Sequence, residues 1–128
     1  MLSFFSQNLF SQDRKKMDDG RRERMEMLRL NESQRNEFQK IQKKYREFFN
    51  NSKNSLKKKH LELELEKMNE NFNQSKIDNL FDEISKIEAN IKKMTFKKNN
   101  DIKLILNKDQ IVMFELLKKR REMIGKRR

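Results

Sequence analysis

The chain has 128 residues, with 32 Lys and Arg against 20 Asp and Glu, so its net charge is +12; 41% of it is charged and only 34% hydrophobic. It holds no Pro, Trp or Cys, two Gly and one His. Tight turns need Gly and Pro, so a β-sandwich or barrel is nearly excluded, and the missing Cys remove a disulfide frame, Cys-ligated zinc and a thiol nucleophile.

One His excludes a multi-His metal site within a single chain, and no run of ~18 apolar residues is present to span a bilayer. Apolar residues nevertheless recur at helical intervals, which disorder does not explain. Long basic helices with a binding role are what remains.

Residues 1–12, MLSFFSQNLFSQ, carry no charge, whereas charge is dense from Asp13 onward. Leu2, Phe4, Phe5, Leu9 and Phe10, followed by Ser11-Gln12, read as the end of a secretory signal cut after Ser11, with its basic leading region missing. The competing reading is a short N-terminal arm, disordered or packed. The expected division is a signal remnant at 1–11, one helical domain at 12–124 and a basic tail at 125–128, with a periplasmic location for the exported chain.

Asp18-Asp19-Gly20 is a helix-start signal for a short helix over about 21–29, with Met25 and Leu28 turned inward. Leu30-Asn31-Glu32-Ser33-Gln34 opens the second helix. Asn31 is an N-cap and Gln34 stands three residues on, so each side chain can satisfy the other residue's orphan N–H. Phe38, Ile41, Tyr45, Phe48 and Ser52 follow at spacings 3-4-3-4, one amphipathic stripe. Residues 50–55 are weak helix formers, and the helix is expected to run through them with its stripe changing phase to Leu61, Leu65, Met68 and Phe72. Leu61 to Glu66 alternates with period two, yet its helix-forming flanks favour helix.

The Asn-rich stretch 69–74 is the expected turn. Ser75 then reads as the cap of a third helix with Ile77, Leu80, Phe81, Ile84, Ile87, Ile91 and Met94 on one face. About 29 residues at 1.5 Å each make it ~43 Å long. Leu106-Asn107-Lys108-Asp109-Gln110 repeats the earlier pattern and opens the last helix, with Gly125 as its stop and Lys126-Arg127-Arg128 as the tail.

Leu-Asn-x-x-Gln therefore occurs twice, at 30–34 and 106–110, once after a short first helix and once between the third helix and the last. Read alone, it is ordinary capping chemistry. In its placement it resembles the Spy/CpxP family of periplasmic helical chaperones and stress or heavy-metal sensors, whose hallmark is a pair of Leu-Thr-x-x-Gln motifs at those two places. The resemblance covers roughly 20–124, with Asn in place of Thr in both copies; Asn caps a helix at least as well. It implies an all-α fold of four helices in a long bent hairpin, paired into an antiparallel cradle-like dimer. Leu30, Asn31, Gln34, Leu106, Asn107 and Gln110 are its structural motif positions.

Little in the chain suggests catalysis. The carboxylates are scattered among Lys and Arg, where a solvated helix face is the simpler reading, and no nucleophile stands beside a base. His60 with Glu64 at i+4 could give two metal ligands on one face, but a surface His in a charged helix is favoured. No Gly-rich phosphate loop is present and no cofactor is expected. Basic clusters at Lys57-Lys58-Lys59, Lys97-Lys98 and Lys118 to Arg121 raise nucleic acid as a partner, but they are dispersed over different helices and carry no reading motif. The expectation is an exported, ATP-independent, homodimeric binder of unfolded or misfolded proteins. Lys57, Lys58, Lys59, Lys97 and Lys98 would steer clients, and Met94 and Phe96 would touch them. The alternatives are a sensor of envelope or heavy-metal stress acting through a membrane-bound or regulatory partner, and a basic coiled-coil protein that binds nucleic acid.

Overall fold

A computed structural model describes residues 20–126; the proposed signal remnant lies outside these. Four helices and no strand occur among the described residues: α1 over 20–28, α2 over Glu32–Met68, α3 over Gln74–Leu104 and α4 over Lys108–Lys126. The protein is all-α. The chain forms two compact units, one of residues 20–35 with 106–126, the other of residues 36–105.

In the second unit α2 and α3 run antiparallel. Lys98 donates to Gln42, Tyr45 and Lys44 meet Asp101, Lys59 meets Glu83 at 2.9 Å, and Lys76 meets Glu66 at 3.3 Å. From Tyr45 through Lys59 to Glu66 the partner number falls, from 101 through 83 to 76. α2 passes through 50–55 unbroken, as expected, but the anticipated change of phase is overturned. From Phe38 the inward positions advance by alternating steps of four and three through Gln42, Tyr45, Phe49, Ser52, Leu56, Lys59 and Leu63 to Glu66, all buried or half-buried. That is a seam of period 3.5, the spacing by which one helix keeps a single face on a helix packed alongside it as the two wrap slightly. Leu61, Leu65, Met68 and Phe72 are 63%, 60%, 79% and 52% exposed. A step of two residues turns a helix by about 200°, so with Leu63 inward its neighbours Leu61 and Leu65 must point out.

α3 matches this seam with Ile77, Leu80, Ile84, Ile87, Ile91 and Met94; Phe81, expected on the same face, is instead exposed beside Lys67, whose Nζ lies 5.6 Å from its ring centroid. The tight core of this unit is Leu63, Ile77, Leu80 and Ile84, with Leu56 against it, close to the 69–73 turn. Asn73, not Ser75, caps α3. Its backbone is extended (φ −95°, ψ 110°), so its side-chain oxygen can accept from Lys76 N–H, whereas Ser75 is already helical. Glu66 closes the turn by accepting from Asn73 N–H at 2.9 Å.

In the first unit the buried side chains are Leu28, Leu30, Leu106, Leu117 and Gln110. α1 ends at residue 28, and Arg29 takes the left-handed conformation (φ 50°) that usually follows a helix C-terminus as Gly. Gly125 does not stop α4, which extends to Lys126.

Candidate functional site

Both Leu-Asn-x-x-Gln copies form complete capping boxes. Asn31 Oδ1 accepts from Gln34 N–H at 2.8 Å and Gln34 Oε1 accepts from Asn31 N–H at 3.0 Å; Asn107 and Gln110 repeat this at 2.8 and 3.0 Å. Leu30 and Leu106, at the preceding positions, are both buried. The two boxes then join. Gln34 Nε2 donates to Gln110 Oε1 at 2.7 Å, and Gln110 Nε2 donates to Gln34 Oε1 at 3.1 Å. Gln110 Nε2 also reaches the carbonyls of Leu28 at 3.0 Å and Arg29 at 3.3 Å. These oxygens belong to the end of α1, where no further turn exists to satisfy them. The six motif residues thus form one structural node between the end of α1 and the starts of α2 and α4. It holds no exposed nucleophile and no paired carboxylates.

The side chains anticipated as client contacts are not gathered in one place. Lys57 and Lys58 are exposed, while Lys59 is turned to the seam and bonded to Glu83, with Glu62 at 3.9 Å. Lys98 is also on the seam, over the Phe49 ring and bonded to Gln42. Met94 is half-buried on the seam, whereas Phe96 is 66% exposed. Phe96 and Lys97 do share a surface with Lys92 and Lys93, two residues the sequence reading passed over. Together the four line a shallow open depression of about 450 Å³. Counting α3 by sevens from Ile77 and from Leu80 would have set Lys98 and Met94 inward and left 92, 93, 96 and 97 outside. His60 and Glu64 are both exposed, and among the described residues no group of three or more potential ligands is placed to hold a metal ion.

Electrostatic perturbations are few. Asp101 is held below the usual carboxylate range by the Tyr45 hydroxyl bond and then by Lys44, while the same bond raises Tyr45. Glu66 is lowered chiefly by the Asn73 N–H and then by Lys76. Lys59 is raised by its bond to Glu83. In the first unit Arg24 is lowered, mainly by partial burial and then by the like charges of Arg121 and Arg21. Arg24 on α1 thus feels Arg121 on α4, an influence invisible while the two helices are read separately.

The fold and the node define an all-α protein with paired capping boxes. Comparison with known protein families, characterised proteins and solved structures finds no match to this chain. No helix among the described residues is long and apolar enough to cross a membrane.

Proposed function

We propose that this chain is an ATP-independent, chaperone-like protein of the Spy/CpxP kind, exported to the periplasm. It would bind unfolded or misfolded proteins on basic and apolar helical surfaces. The observation that carries this reading is Phe96, two-thirds exposed and ringed by Lys92, Lys93 and Lys97. A solvent-facing aromatic ring among cations offers both attractions an unfolded chain responds to: long-range charge, and apolar contact on arrival. Leu61, Leu65, Met68 and Phe72 add further exposed apolar surface on the α2 side of the same unit. The joined motif pair supports the family resemblance, and with it a bent four-helix hairpin and an antiparallel cradle-like dimer.

The test is suppression of aggregation of an unfolded model protein, without ATP, from low to high salt, beside a titration with duplex DNA. Suppression should persist at about 0.3 M salt, because apolar burial is not screened, while the on-rate falls steeply with salt, electrostatic reach being already ~8 Å at about 0.15 M. Phe96→Ser should weaken suppression at all salts, and Lys92→Ser with Lys93→Ser should slow capture mainly at low salt. No suppression at any salt, together with tight salt-sensitive DNA binding, would replace this reading with that of a nucleic-acid binder.

A further inference from the structure

The outward face of α4 sets aliphatic and cationic side chains side by side at helical spacing. At about 100° per residue, Val112, Leu116 and Met123 fall within about 40° of one another, on a helix of 19 residues, or about 28 Å. They are 61%, 56% and 62% exposed. Lys119 and Arg120, both exposed, stand on either side of this ridge. Leu117 and Gln110, which anchor α4 into its own unit, lie roughly a third of a turn away and are buried. α4 is therefore held from one side and offers an aliphatic ridge with cationic margins on the other.

We infer that this face of α4 docks on an anionic lipid surface, the ridge of Val112, Leu116 and Met123 entering the boundary between headgroups and acyl chains while Lys119 and Arg120 take the headgroup phosphates. The two chemistries on the face decide among occupants. A second copy could cover the ridge but brings no phosphate to Lys119 and Arg120. A nucleic acid would satisfy the cations but leave three aliphatic side chains in water. An anionic bilayer satisfies both, since long basic side chains lay their stems along apolar surface and keep their charges among the headgroups. The inference stands apart from client binding, which was argued from the other unit.

The experiment is co-sedimentation of the full chain with large unilamellar vesicles at about 0.15 M salt. One set is phosphatidylcholine alone; the other contains roughly one part phosphatidylglycerol to three of phosphatidylcholine. Partitioning should be about tenfold stronger on the anionic set. Leu116→Ser with Met123→Ser should reduce it about tenfold, and Lys119→Ser with Arg120→Ser by a similar factor, all with unchanged helix content by circular dichroism. Phe96→Ser should leave partitioning unchanged and affect only aggregation suppression, so the two proposals fail separately. Absence of binding, or equal binding to both vesicle sets, overturns the inference. So does an unaltered affinity of the Leu116 and Met123 variant when duplex DNA displaces the protein from vesicles, which would mark the surface as a reader of phosphate alone.

Discussion

The Gln34 and Gln110 side-chain amides, 76 residues apart in sequence, bond to each other twice, each nitrogen donating to the other's oxygen. Each oxygen also accepts the N–H of its own capping Asn. The two helix starts are thus capped by one shared hydrogen-bonded ring. Gln110→Ala, which also strips the Leu28 and Arg29 carbonyls of a donor in a buried place, should cost ~2–3 kcal/mol, and Gln34→Ala ~1 kcal/mol. In a double-mutant cycle read by denaturant unfolding the two should couple by ~1 kcal/mol. Strict additivity would mean that the amides act independently.

The capping Asn residues give a milder and separable effect. Asn31→Ala and Asn107→Ala should each lower stability by ~1 kcal/mol and reduce the melting temperature, with no loss of helix at low temperature. Asn31→Thr and Asn107→Thr should retain most of it, since a Thr oxygen can accept the same N–H. Unchanged melting in both Ala variants would reduce the motif to a coincidence of spacing.

Arg29 holds a left-handed conformation that favours Gly. Relief of its steric cost, ~1 kcal/mol, is partly offset by the greater freedom of Gly in the unfolded chain. Arg29→Gly should therefore stabilise by ~0.5 kcal/mol, measured as a higher denaturation midpoint with an unchanged slope. Arg29→Ala should give no such gain.

Acid should loosen the second unit through Asp101 and Glu66. Both carboxyls are lowered in the folded state, so their contribution is present above their ordinary values and lost as pH falls through the folded ones. The melting temperature should hold from neutrality to the ordinary carboxylate range and decline below it. Asp101→Asn should flatten part of that decline. Tyr45, raised by the same bond, gives the mirror effect: its contribution is present below its ordinary value and lost as pH rises through the folded one. Tyr45→Phe should remove that alkaline step.

Dimerisation is checked by light scattering at micromolar concentration, where the proposed cradle requires about twice 15.8 kDa. A stable monomer would count against the cradle, while leaving the capping node intact.

Much of this architecture was readable in advance because capping chemistry is local. Asn31 with Gln34, and Asn107 with Gln110, declare helix starts within four residues, and the structure places them there. The seam was harder. Lys59 and Gln42 occupy inward positions, so counting apolar residues alone lost the period after Ser52 and transferred it to Leu61, Leu65 and Met68. Polar seam residues are tolerated because α3 supplies partners, Glu83 for Lys59 and Lys98 for Gln42, and such partners become apparent only once the register is known. The cap of α3 shows the same limit on a smaller scale. Ser75 and Asn73 are both competent residues, and the choice between them follows from the Glu66 bond that closes the turn. The union of the two capping boxes could not be read from either one.

The separation of Gln34 from Gln110 also orders events on the ribosome. α2 and α3 pair through a five-residue turn, so their unit can form as soon as residue 105 has emerged. The first unit has no such freedom. The end of α1 and the start of α2, although synthesised first, wait for Gln110 before their ring of hydrogen bonds closes. Nascent chains released before that residue would hold a finished second unit and an open first one, with Leu28 and Leu30 still seeking cover.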